Sequence, residues 1–438
     1  MAYLLDACYL LALLLASPWL LWRSLRTGRY REGFAAKLLG LVPGRTGHEA
    51  CVWLHAVSVG EVNLLGTLLT ELAIERPDWQ CVVSTTTQTG YALARRRYPD
   101  LTVFYCPLDF SWAVRRALRR IRPTLLVLAE LELWPNLIRF ASESGAKIAI
   151  INGRLSPRSY RGYRRLSWLI RPLVRRLDVI AAQNDEYSSR FLALGAGPET
   201  VRTTGSMKFD RAQTDRASPA VVRLQKLAGF AADDTVFLAG STQEPEELLA
   251  LDVFSRLREA HPKLRLVLVP RHPERFQGVA AKLVAAGVRW QRRTELDFSG
   301  PDPKARVLLV DSVGELSAWW GTARIGFVGG SLSSRGGQNM IEPAAFGVAT
   351  SFGPNTQNFR DVVAALLSAE AAVQVADGEA LFEFVRGSVE DPCHAAALGR
   401  RAQSFVAAQR GATRRTLDLL LPLADSPPAR KAPSREAA

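Results

Sequence analysis

Cysteine is scarce in this 438-residue sequence, and the few that occur are not arranged as metal ligands or disulfide partners. The five cysteines stand far apart, at Cys8, Cys51, Cys81, Cys106 and Cys393. No CxxC pair is present, which excludes the usual zinc and redox spacings, and an odd number of isolated cysteines does not suit a disulfide scaffold. Free thiols are typical of a reducing compartment, so we expect most of the chain to lie in the cytoplasm.

Two nucleotide-binding signatures are also missing. The sequence contains neither the P-loop motif nor the GxGxxG dinucleotide fingerprint, and the second absence disfavours a nicotinamide-dependent oxidoreductase. With 48% hydrophobic and 22% charged residues, the composition excludes a disordered or collagen-like chain. At roughly 100–200 residues per domain, the length predicts two domains and excludes a single small module.

Acidic residues are outnumbered by basic ones, and the imbalance lies in the N-terminal half. The chain has 56 Lys+Arg against 42 Asp+Glu, a net charge of +14. Residues 23–180 hold 25 basic and 12 acidic residues, so a net charge of +13 falls there. A basic surface of this kind attracts a polyanion, either an anionic lipid surface or a nucleic acid.

Long apolar runs are absent except at the N-terminus. Leu4 to Trp22 is nineteen residues with one charged side chain, Asp6, and is about long enough to cross a bilayer. Arginines follow at Arg23, Arg26, Arg29 and Arg31. Because no basic region precedes the run and no cleavage site follows it, we predict an uncleaved membrane anchor over residues 1–22, with the rest of the chain on the cytoplasmic side. A buried core helix is the alternative, and Ser17-Pro18 leaves open a kinked, half-inserted anchor.

Elsewhere, short β-rich runs alternate with stretches of helix length, which is the pattern of a parallel sheet covered by helices. The first series of runs is 52–54, 81–83, 102–105, 125–128, 147–151 and 179–181, and the second is 236–238, 266–269, 307–310 and 325–328. We therefore predict an α/β chain with two doubly wound Rossmann-like domains and a cleft between them. The polar stretch 211–218 sets the domains at 23–214 and 215–423, and residues 424–438 are expected to form a disordered tail.

Candidate catalytic side chains follow the strands, because open α/β sheets bind ligands beyond the carboxyl ends of their strands. Glu61 comes after the first strand and opens a helix, whose dipole would keep the carboxylate ionised, as a general base requires. Complementing that dipole is an equally good explanation of Glu61. Glu130 and Glu132 follow the fourth strand and would share one side of an extended segment, although Glu132 could instead cap the next helix.

An arginine-rich stretch follows the fifth strand. Its basic residues are interleaved with aromatic ones, at Arg158, Arg161, Arg164, Arg165, Arg171, Arg175 and Arg176 and at Tyr160, Tyr163 and Trp168. Basic and aromatic side chains together are typical of a face that binds a membrane surface. Nucleic-acid binding is the competing interpretation, which the preceding anchor disfavours.

Glycine and small hydroxyl residues follow several strands in the pattern of phosphate-binding loops. Three such loops are Gly240-Ser241-Thr242, Gly205 to Lys208, and Gly329-Gly330-Ser331, the last of which runs on to Asn339. With Arg271 and His272 after another strand, they predict an anion pocket. Glu342 follows the longest loop and could accept both hydroxyls of a ribose, which favours a nucleotide donor, although dipole complementation also explains it.

Eight segments carry a resemblance that spans nearly the whole chain. They are HAVSVGE at 55–61, AELELWPN at 129–136, NGRLS at 152–156, AAQN at 181–184, GSMKFD at 205–210, VPRHPERF at 269–276, DSVGEL at 311–316 and FVGGSLSSRGGQNMIEPAAFG at 327–347. In these segments the sequence resembles the 3-deoxy-D-manno-octulosonic acid (Kdo) transferases. The two-domain GT-B glycosyltransferase fold of that family agrees with the two sheets predicted above.

The resemblance implies transfer of Kdo from CMP-Kdo to the glucosamine 6-hydroxyl of a phosphorylated lipid A precursor, with inversion and without a metal ion or other cofactor. The reaction belongs to lipopolysaccharide core biosynthesis at the inner leaflet of the inner membrane, and no nucleic acid is implied as a partner. Glu61 would be the general base, and Glu130 and Lys208 would stabilise the transition state. The CMP-binding positions implied are Arg271, His272, Val313, Gly314, Glu315, Asn339, Met340, Ile341 and Glu342.

Two positions depart from the family pattern. Gln338 stands where the family commonly has histidine, and Gln243-Glu244-Pro245 stands where His-Glu-Gly is expected. Glutamine can hydrogen-bond a phosphate or a hydroxyl but carries no positive charge, so donor affinity or its pH dependence could differ. Two other functions stay open: a membrane-associated transferase that uses a UDP-sugar, and a non-catalytic protein that binds anionic lipid.

Overall fold

The chain folds as two compact units. A computed structural model describes residues 2–27 and 32–425. Unit 1 comprises residues 1–210 and 410–438, and unit 2 comprises residues 211–409. Arg29, Arg31 and residues 426–438 of the expected tail lie outside the described residues.

Unit 1 is built on a seven-stranded sheet in which neighbouring strands are parallel. Its strands are β1 Cys51–His55, β2 Gln80–Thr85, β3 Thr102–Tyr105, β4 Leu125–Ala129, β5 Lys147–Gly153, β6 Val179–Ala182 and β7 Val201–Thr203. Its helices, within the described residues, are α1 Ala2–Thr27, α2 Phe34–Leu39, α3 Val59–Glu75, α4 Gln88–Arg97, α5 Ser111–Ile121, α6 Pro135–Glu143, α7 Pro157–Arg165, α8 Ser167–Val174, α9 Asp185–Ala193 and α19 Ala412–Asp425. The strand order is β3-β2-β1-β4-β5-β6-β7.

Both faces of this sheet are covered, which explains why its strands read as continuous apolar runs. Successive residues of a strand point to opposite faces. In β1, Val52 and Leu54 belong to one buried cluster, whereas Trp53 belongs to another. The same alternation separates Val127 from Leu128 in β4.

The C-terminal helix α19 belongs to unit 1. The expected domain division had instead placed residues up to 423, and so most of this helix, in the second domain. Asp210 accepts hydrogen bonds from the backbone N–H groups of Gly411 and Thr413, at 2.7 and 2.5 Å, and so caps the start of α19. Leu417 and Leu420 are buried in the same cluster as Val52. Residues 410–425 therefore return to the N-terminal sheet, and the helix extends two residues into the expected tail.

Unit 2 is built on a second seven-stranded parallel sheet. Its strands are β8 Thr235–Thr242, β9 Leu264–Pro270, β10 Trp290–Arg292, β11 Val307–Leu309, β12 Ile325–Val328, β13 Ala349–Phe352 and β14 Val373–Gln374. Its α-helices are α10 Pro219–Leu227, α11 Glu246–Leu257, α12 Phe276–Ala285, α13 Arg293–Ser299, α14 Leu316–Thr322, α15 Ile341–Ala345, α16 Arg360–Ser368, α17 Gly378–Glu390 and α18 Pro392–Gln409, with 3-10 turns at Pro273–Arg275 and Gln357–Phe359. The strand order is β10-β11-β9-β8-β12-β13-β14.

Each sheet reverses its strand order next to its first strand. The reversal lies between β1 and β4 in unit 1 and between β8 and β12 in unit 2. At such a reversal the loops beyond the two strands diverge and leave a crevice, which is where open α/β sheets bind ligands.

The prediction of two parallel-sheet α/β domains is confirmed. Nine of the ten β-rich runs lie entirely in a strand of the expected sheet, and the run 307–310 extends one residue beyond β11. The predicted anchor residues form part of α1. Across residues 2–27 and 32–425, no helix combines the length and apolar character needed to cross a membrane, so the anchor stays a prediction.

Candidate active site

The reversal in unit 1 gathers three of the predicted side chains. Glu61 lies in the first turn of α3, directly after β1, and Glu130 directly follows β4. Glu61 and Glu130 repel each other electrostatically, and Lys208, after β7, reaches Glu130. The residues predicted to catalyse therefore meet at the crevice of this sheet.

The Glu61 carboxylate is held by two local donors. One oxygen, Oε2, accepts from the Val57 backbone N–H at 2.8 Å, and Oε1 accepts from the Ser58 hydroxyl at 2.8 Å. Burial nevertheless raises the pKa of Glu61 above its usual value, and repulsion by Glu130 adds to the shift. Burial thus opposes the helix dipole, which was expected to keep this carboxylate ionised, and a raised pKa makes the carboxylate a stronger base.

Glu130 and Lys208 form an ion pair between two loops of unit 1. Lys208 Nζ donates to Glu130 Oε1 at 2.8 Å, and both side chains are half-buried. Glu130 has a φ of +60°, a left-handed conformation that costs energy for a residue with a side chain. That turn ends the extended backbone, so Glu130 and Glu132 do not follow the strand spacing on which their shared side was predicted.

Glu132 is a third acid at the same crevice, and it does not cap α6. Its Oε2 accepts from the Trp134 indole N–H at 2.7 Å. Burial, followed by repulsion from Glu61, raises the pKa of Glu132 to about 7. Near neutral pH this carboxyl therefore exchanges its proton readily.

Asn152 positions the loop that carries Lys208, and it was not among the site residues predicted from the sequence. Its side-chain Oδ1 accepts from the backbone N–H of Met207, the neighbour of Lys208, at 3.1 Å. Asn152 is fully buried and has a φ of +52°, a conformation that asparagine tolerates better than most residues. Asn152 and Gly153 end β5 where its register with β6 shifts, so the Asn-Gly pair of the NGRLS segment marks an irregular strand end.

In unit 2, Asn339 and Arg271 both interact with Glu342, the first through a hydrogen bond and the second electrostatically. Asn339 Nδ2 donates to Glu342 Oε1 at 2.9 Å, while Asn339 Oδ1 accepts from the Ile341 N–H at 3.1 Å. Burial raises the pKa of Glu342, and Asn339, Arg211 and Arg271 partly oppose that shift. Met340 and Ile341 are buried, so their side chains serve packing, while the exposed His272 follows Arg271 after β9.

Glu246 occupies the backbone N–H groups of the predicted loop at Gly330 and Ser331. Gly330 N–H donates to its Oε2 at 2.7 Å, and Ser331 N–H donates to its Oε1 at 3.0 Å. The N–H groups of Gln243 and Leu332 donate to the same carboxylate at 2.8 and 3.0 Å. The geometry of an anion-binding loop is present, but a buried acid of the chain fills it, which spacing alone could not reveal.

Gly240, Ser241 and Thr242 lie within β8 rather than in a loop after it. Ser241 has a φ of +55°, and the register with β9 shifts between Gly240 and Thr242. A side chain at Gly240 would collide with the Trp320 ring. The glycine is therefore explained by close packing, and the bulge turns the chain toward Glu246.

The predicted turn at Val313, Gly314 and Glu315 is held in place by hydrogen bonds to the Glu315 carboxylate. Arg293 donates two hydrogen bonds to Glu315, both at 2.9 Å, and the Ser312 hydroxyl donates at 2.7 Å. Although burial would raise the pKa of Glu315, these partners outweigh it and lower the pKa. Val313 is exposed, and Gly314 has a φ of +94°, a conformation that glycine adopts without strain.

The arginine-rich stretch forms α7 and α8 on unit 1. Tyr160 and Tyr163 pack against the buried core, whereas Trp168 is 64% exposed. Of the arginines predicted there, Arg176 is half-buried and the others are exposed. Among the residues that the structure describes, no group of three or more His, Cys, Asp or Glu side chains could hold a metal ion.

Comparison with known proteins identifies the family. The model of the 3-deoxy-D-manno-octulosonic-acid transferase (kdotransferase) family matches residues 27–211. A 3-deoxy-D-manno-octulosonic acid transferase of Bordetella pertussis is 35% identical over 92% of this chain and 94% of its own length. The chain belongs to the Kdo transferase family. A second Kdo transferase, from Haemophilus influenzae, is 32% identical over 91% of this chain and 93% of that protein.

The expectation of a glycosyltransferase that acts in Kdo transfer is thereby confirmed. The fold is also shared with solved structures of low sequence identity. A UDP-GlcNAc 2-epimerase of Neisseria meningitidis, solved with UDP-GlcNAc bound, superposes with a TM-score of 0.58 at 12% identity over 85% of this chain and all of that one. At that identity the likeness concerns the GT-B type fold alone.

Proposed function

We propose that this Kdo transferase moves Kdo from CMP-Kdo to the glucosamine 6-hydroxyl of a phosphorylated lipid A precursor, with inversion and without a metal ion. The observation that carries the proposal is the cluster at the crevice of unit 1. There the carboxylate of Glu61 has a raised pKa and is repelled by Glu130, which is itself paired with Lys208. A base and a fixed cation are the two groups that such a displacement needs.

In the proposed step, the acceptor hydroxyl loses its proton to Glu61 as its oxygen attacks the anomeric carbon of Kdo. The bond from that carbon to the CMP phosphate breaks, and CMP leaves with the electron pair. Attack from the side opposite the leaving group inverts the configuration. Glu61 suits this role because two local donors fix its orientation while its raised pKa favours uptake of the proton.

Lys208 would stabilise negative charge during this step, either on the departing phosphate or on the carboxylate of the sugar. Its ion pair with Glu130 holds the ammonium group at a defined position rather than leaving it on a mobile side chain. Asn152 holds the loop that carries Lys208. Glu130 and Asn152 therefore act as positioning residues in this proposal.

Unit 2 would bind the CMP part of the donor. Arg271 supplies a cation for the phosphate, and the Asn339–Glu342 pair offers polar groups to the ribose. The backbone of the turn at 313–315 and the loop that Glu246 orders complete the proposed site. Gln338 could hydrogen-bond the donor but would add no charge.

The basic surface of unit 1 would meet the acceptor, a phosphorylated lipid at the inner leaflet of the inner membrane. The exposed arginines of α7 and α8 and the exposed Trp168 are the side chains expected at such a surface. Residues 1–22 would attach the chain to that membrane, with both units on the cytoplasmic side.

The test compares the protein with its Glu61→Gln variant in transfer from CMP-Kdo to a tetraacyl lipid A precursor, followed by lipid mass and CMP release. We expect the turnover of the variant to be about 10²–10⁴-fold lower, because the variant lacks the base. Its affinity for CMP should be unchanged. Glu75→Gln is the matched control, since Glu75 lies in the same helix and pairs with Arg414 at the surface. Wild-type turnover by Glu61→Gln would overturn the proposal.

The same assay separates the other functions. Competition by UDP rather than by CMP would point to a UDP-sugar donor. Lipid binding without any change of lipid mass would favour a non-catalytic lipid-binding protein. A rate that EDTA abolishes and a divalent metal restores would contradict the metal-free reaction.

A further inference from the structure

Helix α1 has one face that packs against the protein and a wider face that does not. The buried and half-buried side chains recur every three or four residues, at Leu5, Asp6, Tyr9, Leu13, Ala16 and Arg23. The remaining surface is strongly apolar, with exposed side chains at Tyr3, Leu4, Leu10, Leu11, Leu14, Leu15, Trp19, Leu21, Trp22 and Leu25. This distribution is that of a helix lying along a surface, with a second apolar environment on its outer side.

The single acid of the helix is fixed to unit 1. Asp6 is 5% exposed, and its two oxygens accept from the backbone N–H and the hydroxyl of Ser111, the first residue of α5, at 2.8 and 2.5 Å. One turn further on, the Tyr9 hydroxyl donates to Asp109 at 3.1 Å. Asp109 in turn accepts from the Asn136 N–H at the start of α6. Asp6 thus caps one helix of unit 1, and Tyr9 bonds the side chain that caps another.

These contacts are incompatible with a helix that crosses the bilayer. Asp6 and Trp22 are sixteen residues apart, or about 24 Å along the helix axis. If Arg23 stood at the cytoplasmic surface of a spanning helix, Asp6 would lie near the opposite surface. Ser111 and the loop before α5 would then be carried into the hydrocarbon, where irregular polar backbone is not tolerated.

We propose that α1 lies in the plane of the membrane, docked on unit 1 through Asp6 and Tyr9, with its outer face in the acyl chains and headgroups of the cytoplasmic leaflet. Trp19 and Trp22 each carry an arginine guanidinium over the ring, at 4.9 and 5.0 Å, and such pairs suit the headgroup boundary. The inference rests on the proposed membrane attachment of residues 1–22. It is independent of the transfer chemistry.

The apolar surface continues from α1 onto unit 1. Tyr9 packs edge-on against Phe110 with ring centroids 6.0 Å apart, and Phe110 stacks on Trp112 at 4.6 Å. The Trp112 indole donates to the Leu38 carbonyl of α2, and α2 exposes Phe34 and Leu39. A docked α1 and α2 would therefore enter one leaflet side by side, which a spanning α1 could not do.

The test reads on which side of the membrane the start of α1 lies. Tyr3, which is 74% exposed, is changed to cysteine in the full-length protein with Cys8→Ser and Cys393→Ser. The matched control keeps the exposed native Cys393 and carries only Cys8→Ser. A membrane-impermeant maleimide is applied to spheroplasts and to inverted inner-membrane vesicles, and the Cys8→Ser, Cys393→Ser background corrects for the other thiols.

We expect the thiol at position 3 to behave like Cys393. In spheroplasts, the maleimide labelling of each thiol should stay below a tenth of the labelling reached after detergent is added. Labelling in spheroplasts while Cys393 stays protected would show a spanning helix and overturn the inference, yet leave the membrane attachment intact. Recovery of the protein in the soluble fraction would overturn the attachment and the inference together. Neither result bears on Glu61→Gln, so failure of the proposed reaction remains distinguishable.

Discussion

The two units place acidic residues at equivalent positions, beyond the strands where the sheet order reverses, but supply them with different numbers of hydrogen-bond donors. In unit 1, Glu61 accepts one backbone N–H and one hydroxyl, and its pKa is raised. In unit 2, Glu246 accepts four backbone N–H groups and is fully buried. The neighbouring Glu247 is bound by both terminal nitrogens of Arg275, at 2.8 and 3.0 Å.

The comparison teaches how to separate a structural acid from a reactive one. A carboxylate whose oxygens are occupied by fixed donors holds the backbone in place and has little capacity left for a ligand. A buried carboxylate with few donors keeps that capacity. The number of donors separates the two cases, and the pKa does not, since burial raises the pKa of both Glu61 and Glu246. Glu342, with one amide donor, resembles Glu61 more closely than it resembles Glu246 or Glu247.

The largest expected effect is that of Glu246→Ala. The substitution leaves four backbone N–H groups without their acceptor, and the loop that begins at Gly330 loses its organiser. We expect unit 2 to lose about 3–5 kcal/mol of stability, the cost of removing one partner from a buried charged network. Calorimetric unfolding and titration with CMP measure the loss of stability and of donor affinity.

Glu244→Ala is the matched control for that prediction. Glu244 lies two residues away in the same segment and pairs with Lys282 while its side chain is 67% exposed. Its loss should leave the stability close to that of the wild type, because solvent screens an exposed pair. Equal effects of the two substitutions would contradict the division between structural and reactive acids.

Lys208→Met removes the cation that pairs with Glu130 at the crevice of unit 1. We expect turnover to fall about 10²-fold, the usual cost of removing one charge-stabilising group, with a smaller change in CMP affinity. Lys147→Met is the control, since Lys147 also pairs with a half-buried acid, Asp178, but lies at the amino end of β5, away from the crevice. A loss of CMP affinity as large as the loss of turnover would instead make Lys208 a donor-binding residue.

The sheets were predictable because buried parallel strands are continuous apolar runs. The four strands without a predicted run, β7, β10, β13 and β14, each carry polar residues within two to four positions, so no continuous apolar run marks them. The return of α19 to unit 1 was not predictable, because the bond from Gly411 to Asp210 joins residues about 200 positions apart. An amphipathic pattern predicts a helix without saying which sheet it covers.

The candidate site was predictable to the level of residue type and loop. Placing Glu61 and Glu130 beyond strand ends needed only the rule on where open sheets bind ligands. Whether a glycine loop is empty or filled depends on a remote side chain, and Glu246 fills the loop at Gly330 from 84 residues away. Such competition between a ligand and the chain itself leaves no mark in the local spacing.

Glu132→Gln tests how much the buried acid Glu132 lowers the stability of unit 1, because that loss depends on pH. The pKa of Glu132 is raised from 4.5 to about 7 in the folded chain, so the folded state holds the proton more tightly than the unfolded state. Below about pH 4.5 both states are protonated and there is no penalty. Stability is lost as the pH rises from there through about 7, because the ionised group prefers water.

The variant should therefore unfold about 2–4 °C above the wild type at pH 8 and at the same temperature as the wild type at pH 4. Solvent screening keeps the effect small, since the side chain is only half-buried. Glu143→Gln, which removes an acid from an exposed pair with Arg139, should change the Tm little at either pH. A gain for Glu132→Gln at pH 4 as large as at pH 8 would contradict the assignment.

The smallest effect is the influence of one crevice acid on another. An ionised Glu61 repels a second negative charge, so Glu132 keeps its proton to a higher pH. In Glu61→Gln the pKa of Glu132 should fall below 7 yet stay above 4.5, because burial is the larger cause. Glu130→Gln should lower it less, since Glu130 is the weakest of the contributors. Carboxyl-carbon NMR titration follows both variants, and an unchanged Glu132 in Glu61→Gln would mean that the two acids do not share one electrostatic field.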